Sequence, residues 1–132
     1  MAKIFSMSDA ASIAIHSMVV IARSETGINA VKIAEFTGFS KNHISKVLQR
    51  LVKNDLLDSV RGPSGGFTLK RKAEDITLLM IYESIEGTLE IKDCLMSLEI
   101  CRFDQCIMGS VVNKMALEFK NFLGAQTLKA YM

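Results

Sequence analysis

The chain has 132 residues, of which 49% are apolar and only one is proline, and its formal net charge is +2. This length and composition suit one folded domain and leave little room for a disordered linker. A membrane helix is excluded because Ser12, His16, Ser17 and Arg23 interrupt the most hydrophobic segment. An odd number of cysteines and an N-terminus without a secretion signal predict a cytoplasmic protein with reduced thiols.

Positive charge is concentrated in the middle of the chain. Residues 41–72 carry eight Lys or Arg side chains against two Asp side chains, whereas residues 73–132 carry five basic and nine acidic side chains. A basic stretch between neutral and acidic parts is typical of a polyanion-binding face. The alternative is a solvated helix whose lysines serve solubility, and the placement of the charges decides between the two.

Two helices are predicted in the first forty residues. Ser8 is the N-cap candidate of the first helix, whose apolar residues recur at three and four residue steps and which stops before Gly27. Asn29 is the N-cap candidate of a short second helix, which ends at Gly38.

A third helix is predicted from a cap at Ser40 to Lys53, so that a tight glycine-containing turn joins it to the second helix. This arrangement is typical of a helix-turn-helix. The outward side chains are donors or mixed donors and acceptors without a carboxylate: Lys41, Asn42, His43, Ser45, Lys46, Gln49 and Arg50. Such groups read base edges and phosphates in a major groove, whereas a solvated helix usually mixes Glu with Lys. We therefore interpret this segment as a recognition helix.

A β-hairpin is predicted directly after the recognition helix. The β-compatible runs LLDSV and FTLK flank a turn that contains Pro63 and three glycines. Behind a recognition helix such a hairpin is a wing, with Arg61 at its tip directed at a minor groove and the amides of Ser64, Gly65 and Gly66 near phosphates. A nucleotide-binding glycine loop is excluded because neither of its glycine motifs is present.

The C-terminal half carries the cysteines. Cys94, Cys101 and Cys106 fall in one 13-residue window, with six and four residues between them. Thiolates are soft ligands that suit iron–sulfur clusters and zinc, and three reduced thiols without a metal are the alternative. From Ile107 to Leu123 a helical stripe of apolar side chains is long enough to bury against a partner subunit, or else against the chain's own core.

The predicted fold is mainly α-helical with a small β-hairpin wing and a long C-terminal dimerisation helix. Residues 1–74 form the winged helix-turn-helix domain, and residues 75–132 form the cysteine-bearing loop and the dimerisation helices, within one unit. No catalytic constellation is recognisable around the two histidines, His16 and His43, so the chain is not expected to be an enzyme.

Four features together resemble the Rrf-two family of bacterial winged-helix regulators. They are SKNHISKV at residues 40–47, VRGPSGG at residues 60–66, ITLL at residues 76–79 with Glu86-Gly87, and the three late cysteines, in the family's order. The resemblance runs from the first helix to the end of the chain. It implies a homodimeric repressor that binds a double-stranded DNA operator and whose cysteines ligate a 2Fe-2S or 4Fe-4S cluster. Nitric oxide, oxidants or iron shortage would then change its DNA affinity.

The resemblance also bears on a fourth cluster ligand. Family members of the IscR type place a His three residues after the third cysteine, where this chain has Gly109. Members of the NsrR type use an Asp near the start of the first helix, donated by the partner subunit, and Asp9 matches that position. The chain is therefore expected to be closer to the NsrR type. The alternative role of Asp9 is a favourable interaction with the helix dipole.

The sequence thus predicts a DNA-binding regulator that senses redox, nitric oxide or iron–sulfur status through Cys94, Cys101, Cys106 and Asp9. The alternative is a winged-helix regulator without a cluster, controlled by a protein partner or by thiol oxidation. Another alternative is an interaction protein that uses its winged domain to bind a protein instead of DNA.

Overall fold

A computed structural model of the chain describes residues 2–3, 5–91 and 102–132. Within these ranges the elements follow the order α1 (Asp9–Arg23), α2 (Ala30–Thr37), α3 (Lys41–Lys53), β1 (Leu57–Val60), β2 (Gly66–Leu69), α4 (Leu78–Glu86) and α5 (Val111–Ala125). Short 3-10 helices lie at Ala73–Asp75 and Leu128–Tyr131. The predicted helical fold with a β-hairpin is confirmed. No helix in the described ranges is long and apolar enough to cross a membrane.

The three predicted N-caps hold the starts of the first three helices. The side chains of Ser8, Asn29 and Ser40 accept hydrogen bonds from the backbone N–H three residues on, at 3.1, 2.9 and 3.5 Å. Each cap satisfies one of the N–H groups that a helix start leaves without an internal partner. The second helix ends at Gly38, whose φ of 83° is left-handed and therefore suits glycine.

The end of α3 directs the chain into the wing. The N–H groups of Leu56 and Asp55 donate to the carbonyls of Leu51 and Val52, both at 3.1 Å, which is the hydrogen-bond pattern of a Schellman motif. Asp55 takes the left-handed position at φ 62°. Its carboxylate pairs with the Lys70 ammonium at 2.9 Å, and this hydrogen bond lowers the pKa of Asp55. This ion pair thereby links the segments that enter and leave the hairpin at its base.

The wing is tied to the connection between α1 and α2. Strands β1 and β2 pair antiparallel in a register that runs from Leu57 opposite Leu69 to Val60 opposite Gly66. Ile28 adds a further bridge, because its N–H donates to the Phe67 carbonyl at 3.2 Å and its carbonyl accepts from the Phe67 N–H at 2.8 Å. The wing therefore keeps a defined position beside the helix-turn-helix.

One hydrophobic core joins the two predicted parts of the chain. Its members from α1, α3 and α4 pack with Leu123 of α5 and with Leu128, which is fully buried. The Leu78 N–H donates to the Gln126 carbonyl, and the Leu128 N–H donates to the Ile76 carbonyl, both at 3.0 Å. The C-terminal end thus returns to the DNA-binding half, and the core is continuous across residues 74 and 75.

The apolar stripe predicted from Ile107 divides into two edges. The helix itself begins only at Val111, because Gly109 and Ser110 both take positive φ angles, of 63° and 57°. One edge packs on the same chain through Leu123 and Phe119, the latter ring lying 4.8 Å from Phe5 and 5.5 Å from Tyr82 between centroids. The other edge is exposed and apolar at Val111, Met115 and Phe122.

Candidate functional site

Helices α2 and α3 form a helix-turn-helix with a three-residue turn at residues 38–40. One face of α3 is fixed in the core by Ile44, Val47, Leu48 and Leu51, all of which are at most 2% exposed. The opposite face is therefore held towards solvent. The buried face of α3 and its cap at Ser40 therefore give the outer side chains of this helix a defined direction.

The exposed face of α3 coincides with the predicted recognition residues. Lys41, Asn42, His43, Lys46 and Gln49 are exposed, and Ser45 is half-buried beside them. The face carries no carboxylate, as the sequence indicated. Ser40 lies at the edge, where its hydroxyl accepts the His43 N–H in the helix cap.

Arg50 differs from the other predicted recognition residues. Its Nη2 group donates a hydrogen bond of 2.6 Å to the backbone carbonyl of Ile85, near the end of α4. The side chain is therefore directed at another helix of the same chain. The sequence carried no signal for this contact, because the two residues are 35 positions apart.

The positive charges of residues 41–72 fall into two groups. Arg50, Lys70 and Arg71 are held within the chain, the latter two by the side chain and the carbonyl of Asp55 at 2.9 and 3.2 Å. The other five form no hydrogen bond or ion pair within the described residues: Lys41, Lys46, Lys53, Arg61 and Lys72. All eight side chains are exposed, so these five differ from the other three in having no partner within the described residues and not in their access to solvent.

The tip of the wing presents Arg61 and Ser64, which are both exposed. The Gly65 N–H donates to the Gly62 carbonyl at 2.9 Å, so the turn already uses the Gly65 amide that the sequence suggested for phosphate contact. A side chain at Gly65 would place its Cβ 2.2 Å from the Val60 carbonyl oxygen. Gly65 is thus required by the turn, and Arg61 and Ser64 are the predicted contact residues that the tip leaves exposed.

Of the three cysteines, only Cys106 lies within the described residues; Cys94 and Cys101 lie outside them. Cys106 is exposed in the turn that precedes α5. Hydrogen bonds from the backbone N–H groups of Ser110 and Met108 lower the pKa of its thiol. They do so by stabilising the thiolate, which is the form that binds metals and reacts with oxidants.

Asp9 is the first residue of α1 and is exposed. The preceding Ser8 donates its hydroxyl to the carboxylate of Glu86, the last residue of α4. The start of α1 is therefore attached to the point where α4 ends. Within the described ranges no group of three His, Cys, Asp or Glu side chains converges on a metal position. Two of the predicted ligands lie outside those ranges, so the ligand set stays a prediction.

The fold and the basic face define a winged helix-turn-helix transcriptional regulator. A family model described as Rrf2, iron-dependent transcriptional regulator, matches residues 7–132. The chain belongs to the Rrf2 family, whose members are DNA-binding regulators and not enzymes. The predicted resemblance is confirmed at the level of the family.

Similar proteins of known sequence and structure agree with this assignment. The regulator IscR of Pectobacterium atrosepticum is 28% identical over 111 residues, which cover 83% of this chain and 67% of that protein. The putative regulator BadM of Rhodopseudomonas palustris is 39% identical over 67 residues, which are 51% of this chain and 43% of that protein. The structure of T. potens IscR has a TM-score of 0.75 at 27% identity and covers 95% of this chain and 84% of that chain.

A further solved structure shows how widely the fold is shared. CymR, the global cysteine regulator of B. subtilis, has a TM-score of 0.79 at 20% identity and covers 96% of this chain and 95% of that chain. At this identity the likeness concerns the fold alone.

Proposed function

We propose that the chain is a homodimeric repressor that binds operator DNA and changes its DNA affinity with the state of a cluster held by Cys94, Cys101 and Cys106. The observation that carries the DNA-binding part is the exposed, carboxylate-free face of α3, which lies beside a wing with Arg61 at its tip. In this arrangement α3 enters a major groove, and Asn42, Ser45 and Gln49 contact base edges. Lys41, Lys46 and Arg61 contact phosphates or the minor groove.

The two exposed cations Lys46 and Arg61 test the DNA interface. Each change, Lys46→Ala or Arg61→Ala, removes about one phosphate contact, so the affinity falls and the slope of log K against log salt becomes shallower by about 1. Binding is measured by fluorescence anisotropy on a duplex selected from promoter fragments of the source genome. Lys129→Ala is the matched control, because Lys129 is exposed on the C-terminal 3-10 helix and is expected to leave binding unchanged. Unchanged affinity and slope in both α3 and wing variants would contradict the interface.

The chemistry of Cys106 fits an iron–sulfur ligand. An exposed thiol whose pKa is lowered by backbone N–H groups offers the soft thiolate that such clusters prefer. Cys94, Cys101 and Cys106 would hold the cluster, with Asp9 of the partner subunit as the fourth ligand, as in the NsrR type. The bound cluster would supply iron that reacts with oxidants or nitric oxide. The family description as an iron-dependent transcriptional regulator is consistent with such a cluster, whereas the fourth ligand rests on the resemblance of Asp9 to the NsrR type.

The exposed edge of α5 supports the homodimer. Val111, Met115 and Phe122 follow one another at helical spacing, and 41–54% of each residue is exposed. An apolar helix edge of this kind is buried when a second copy packs against it. Two recognition helices at a fixed separation then read two half-sites of one operator.

Control by thiol oxidation without a cluster is the second candidate. It is favoured by the exposure of Cys106 and by its lowered pKa, which are the properties of an oxidant-sensitive cysteine. Anaerobic purification and native mass spectrometry of the wild type and of Cys101→Ser distinguish the two. Additional mass of cluster size on the wild-type dimer alone supports the cluster. A wild type without added mass, whose DNA affinity changes when Cys106 is oxidised, supports thiol control.

A further inference from the structure

Three segments of different function meet at the C-terminal end of α4. The recognition helix reaches it through Arg50, which donates to the Ile85 carbonyl at 2.6 Å. The start of α1, where Asp9 lies, reaches it through the hydrogen bond from Ser8 to Glu86. The chain then leaves α4 at Gly87 and leads in sequence to Cys94.

The Ile85 carbonyl is open to Arg50 because of how α4 ends. The residue four positions on, Leu89, would donate its N–H to Ile85 if the helix continued. Instead the Leu89 N–H donates to the Glu83 carboxylate at 2.6 Å, and Gly87 takes a φ of 87°. A guanidinium at a helix C-terminus is also favoured by the helix dipole. The Ile85 carbonyl is thus available to Arg50 because α4 ends at Glu86 and the Leu89 N–H bonds to Glu83.

The beginning of that segment is anchored on both sides. The Glu83 carboxylate of α4 accepts the Leu89 N–H, and the Leu89 carbonyl accepts a hydrogen bond of 3.1 Å from the Lys120 ammonium of α5. A displacement of the segment would move Leu89 and release its N–H from the Glu83 carboxylate. The released N–H would then compete for the last carbonyls of α4. The hydrogen bond from Arg50 to the Ile85 carbonyl would then change, and with it the position of the C-terminal part of α3.

We infer that Arg50 is a positioning residue that transmits the state of the cysteine-bearing segment to the recognition helix through its hydrogen bond to the Ile85 carbonyl. This inference rests on the proposed function, since it requires a segment whose state changes. Arg50 then affects the response of DNA binding to the cluster and makes no phosphate contact of its own. Lys46, which has no hydrogen bond within the described residues, serves as the matched cation on the same helix.

The test measures the operator Kd of each variant in two states, as purified without oxygen and after removal of iron by a chelator. The ratio of the two Kd values measures the coupling, which for allosteric proteins is typically about 5-fold to 150-fold. We expect Arg50→Met to bring this ratio close to 1 with an unchanged salt slope. Lys46→Met is expected to weaken binding in both states equally, with the wild-type ratio kept and the salt slope shallower by about 1.

Two other results would count against the inference. If Arg50→Met keeps the wild-type ratio, whether or not its salt slope falls as that of Lys46→Met does, the inference is overturned and the proposed function stands. If the wild type itself shows a ratio of 1, the proposed function fails and this inference fails with it.

A second variant and a second measurement make the test independent of the stability of Arg50→Met. Arg50→Lys keeps the charge and a donor for the Ile85 carbonyl, so a ratio closer to that of the wild type than in Arg50→Met supports the hydrogen-bond role, and a ratio as low as in Arg50→Met opposes it. Hydrogen exchange supplies a readout without DNA. In the wild type, iron removal is expected to change the exchange of the amides in α3, whereas in Arg50→Met the change is confined to the residues after Gly87. An unaltered response of α3 in the variant would also overturn the inference.

Discussion

The thiol of Cys106 lies in a turn where the backbone N–H groups of Ser110 and Met108 point at its sulfur. Those groups are available because Gly109 and Ser110 take left-handed φ angles, which delays the start of α5. A local backbone feature thus sets the reactivity of one side chain. The cysteine spacing predicted a ligand at this position, but only the turn geometry shows why its thiolate is favoured.

The first prediction concerns the pH dependence of Cys106 reactivity. In the double variant Cys94→Ser/Cys101→Ser, alkylation by iodoacetamide is expected to follow a titration curve whose midpoint lies below that of a free thiol, about pH 8.5. The folded-state pKa is the lower one, so the thiolate persists as the pH falls to a value at which an unfolded chain is already protonated. Mass spectrometry measures the rate, and the same variant in urea is the control. Coincident curves in the two states would contradict the prediction.

At the scale of elements, the helix-turn-helix and the wing each depend on a glycine, for different reasons. Gly65 fits where a Cβ would lie 2.2 Å from the Val60 carbonyl oxygen and 2.9 Å from the Gly62 carbonyl oxygen. Gly38 has no atom within 4 Å of its would-be Cβ, but its φ of 83° is left-handed. The sequence indicated a turn at both positions, and the structure separates crowding from backbone conformation.

The second prediction compares these two glycines. Gly38→Ala adds only left-handed strain, which costs about 1–2 kcal/mol. Gly65→Ala forces backbone atoms apart and is expected to cost about 3 kcal/mol, at the upper end of over-packing effects. Urea denaturation followed by circular dichroism measures both. A smaller loss for Gly65→Ala than for Gly38→Ala would show that the turn relaxes.

At the scale of the whole molecule, the C-terminal residues pack against earlier parts of the same chain. Leu128 is fully buried and bonded to Ile76 through the backbone, and the Arg23 Nε of α1 donates to the Tyr131 carbonyl at 2.7 Å. The last residues therefore contribute to the stability of the helix-turn-helix, although they lie more than 70 residues away from α3 in the sequence. We expect the described parts of the chain to unfold together.

The third prediction follows from this shared core. Leu128→Ala leaves a cavity in a fully buried position and is expected to lower the free energy of unfolding by about 2–5 kcal/mol. Near-ultraviolet and far-ultraviolet circular dichroism are expected to report one transition at the same urea concentration. Met132→Ala is the control, because Met132 is 64% exposed and its truncation is expected to change the stability by less than about 0.5 kcal/mol. Separate transitions for the two signals would contradict a shared core.

The fourth prediction tests the proposed dimer. Phe122→Asp places a carboxylate on the exposed edge of α5 and is expected to convert the dimer to a monomer in analytical ultracentrifugation, because an unpaired charge would be buried at the interface. Phe36→Asp is the matched control, since Phe36 is 71% exposed on α2 and lies outside that edge. A dimer that survives Phe122→Asp with unchanged affinity would place the interface elsewhere.

The sequence by itself determined the features that depend on local chemistry. The caps at Ser8, Asn29 and Ser40, the glycine stop at Gly38 and the carboxylate-free face of α3 are all readable from residues a few positions apart. Only the tertiary structure decided which of the basic side chains have no hydrogen bond or ion pair within the described residues. Arg50 resembles its neighbours on α3 in sequence, yet it is held by Ile85 because α4 ends where its carbonyl lacks an internal partner. Likewise, the apolar pattern of α5 cannot show which edge the chain covers itself, since that depends on where α4 and Phe5 pack.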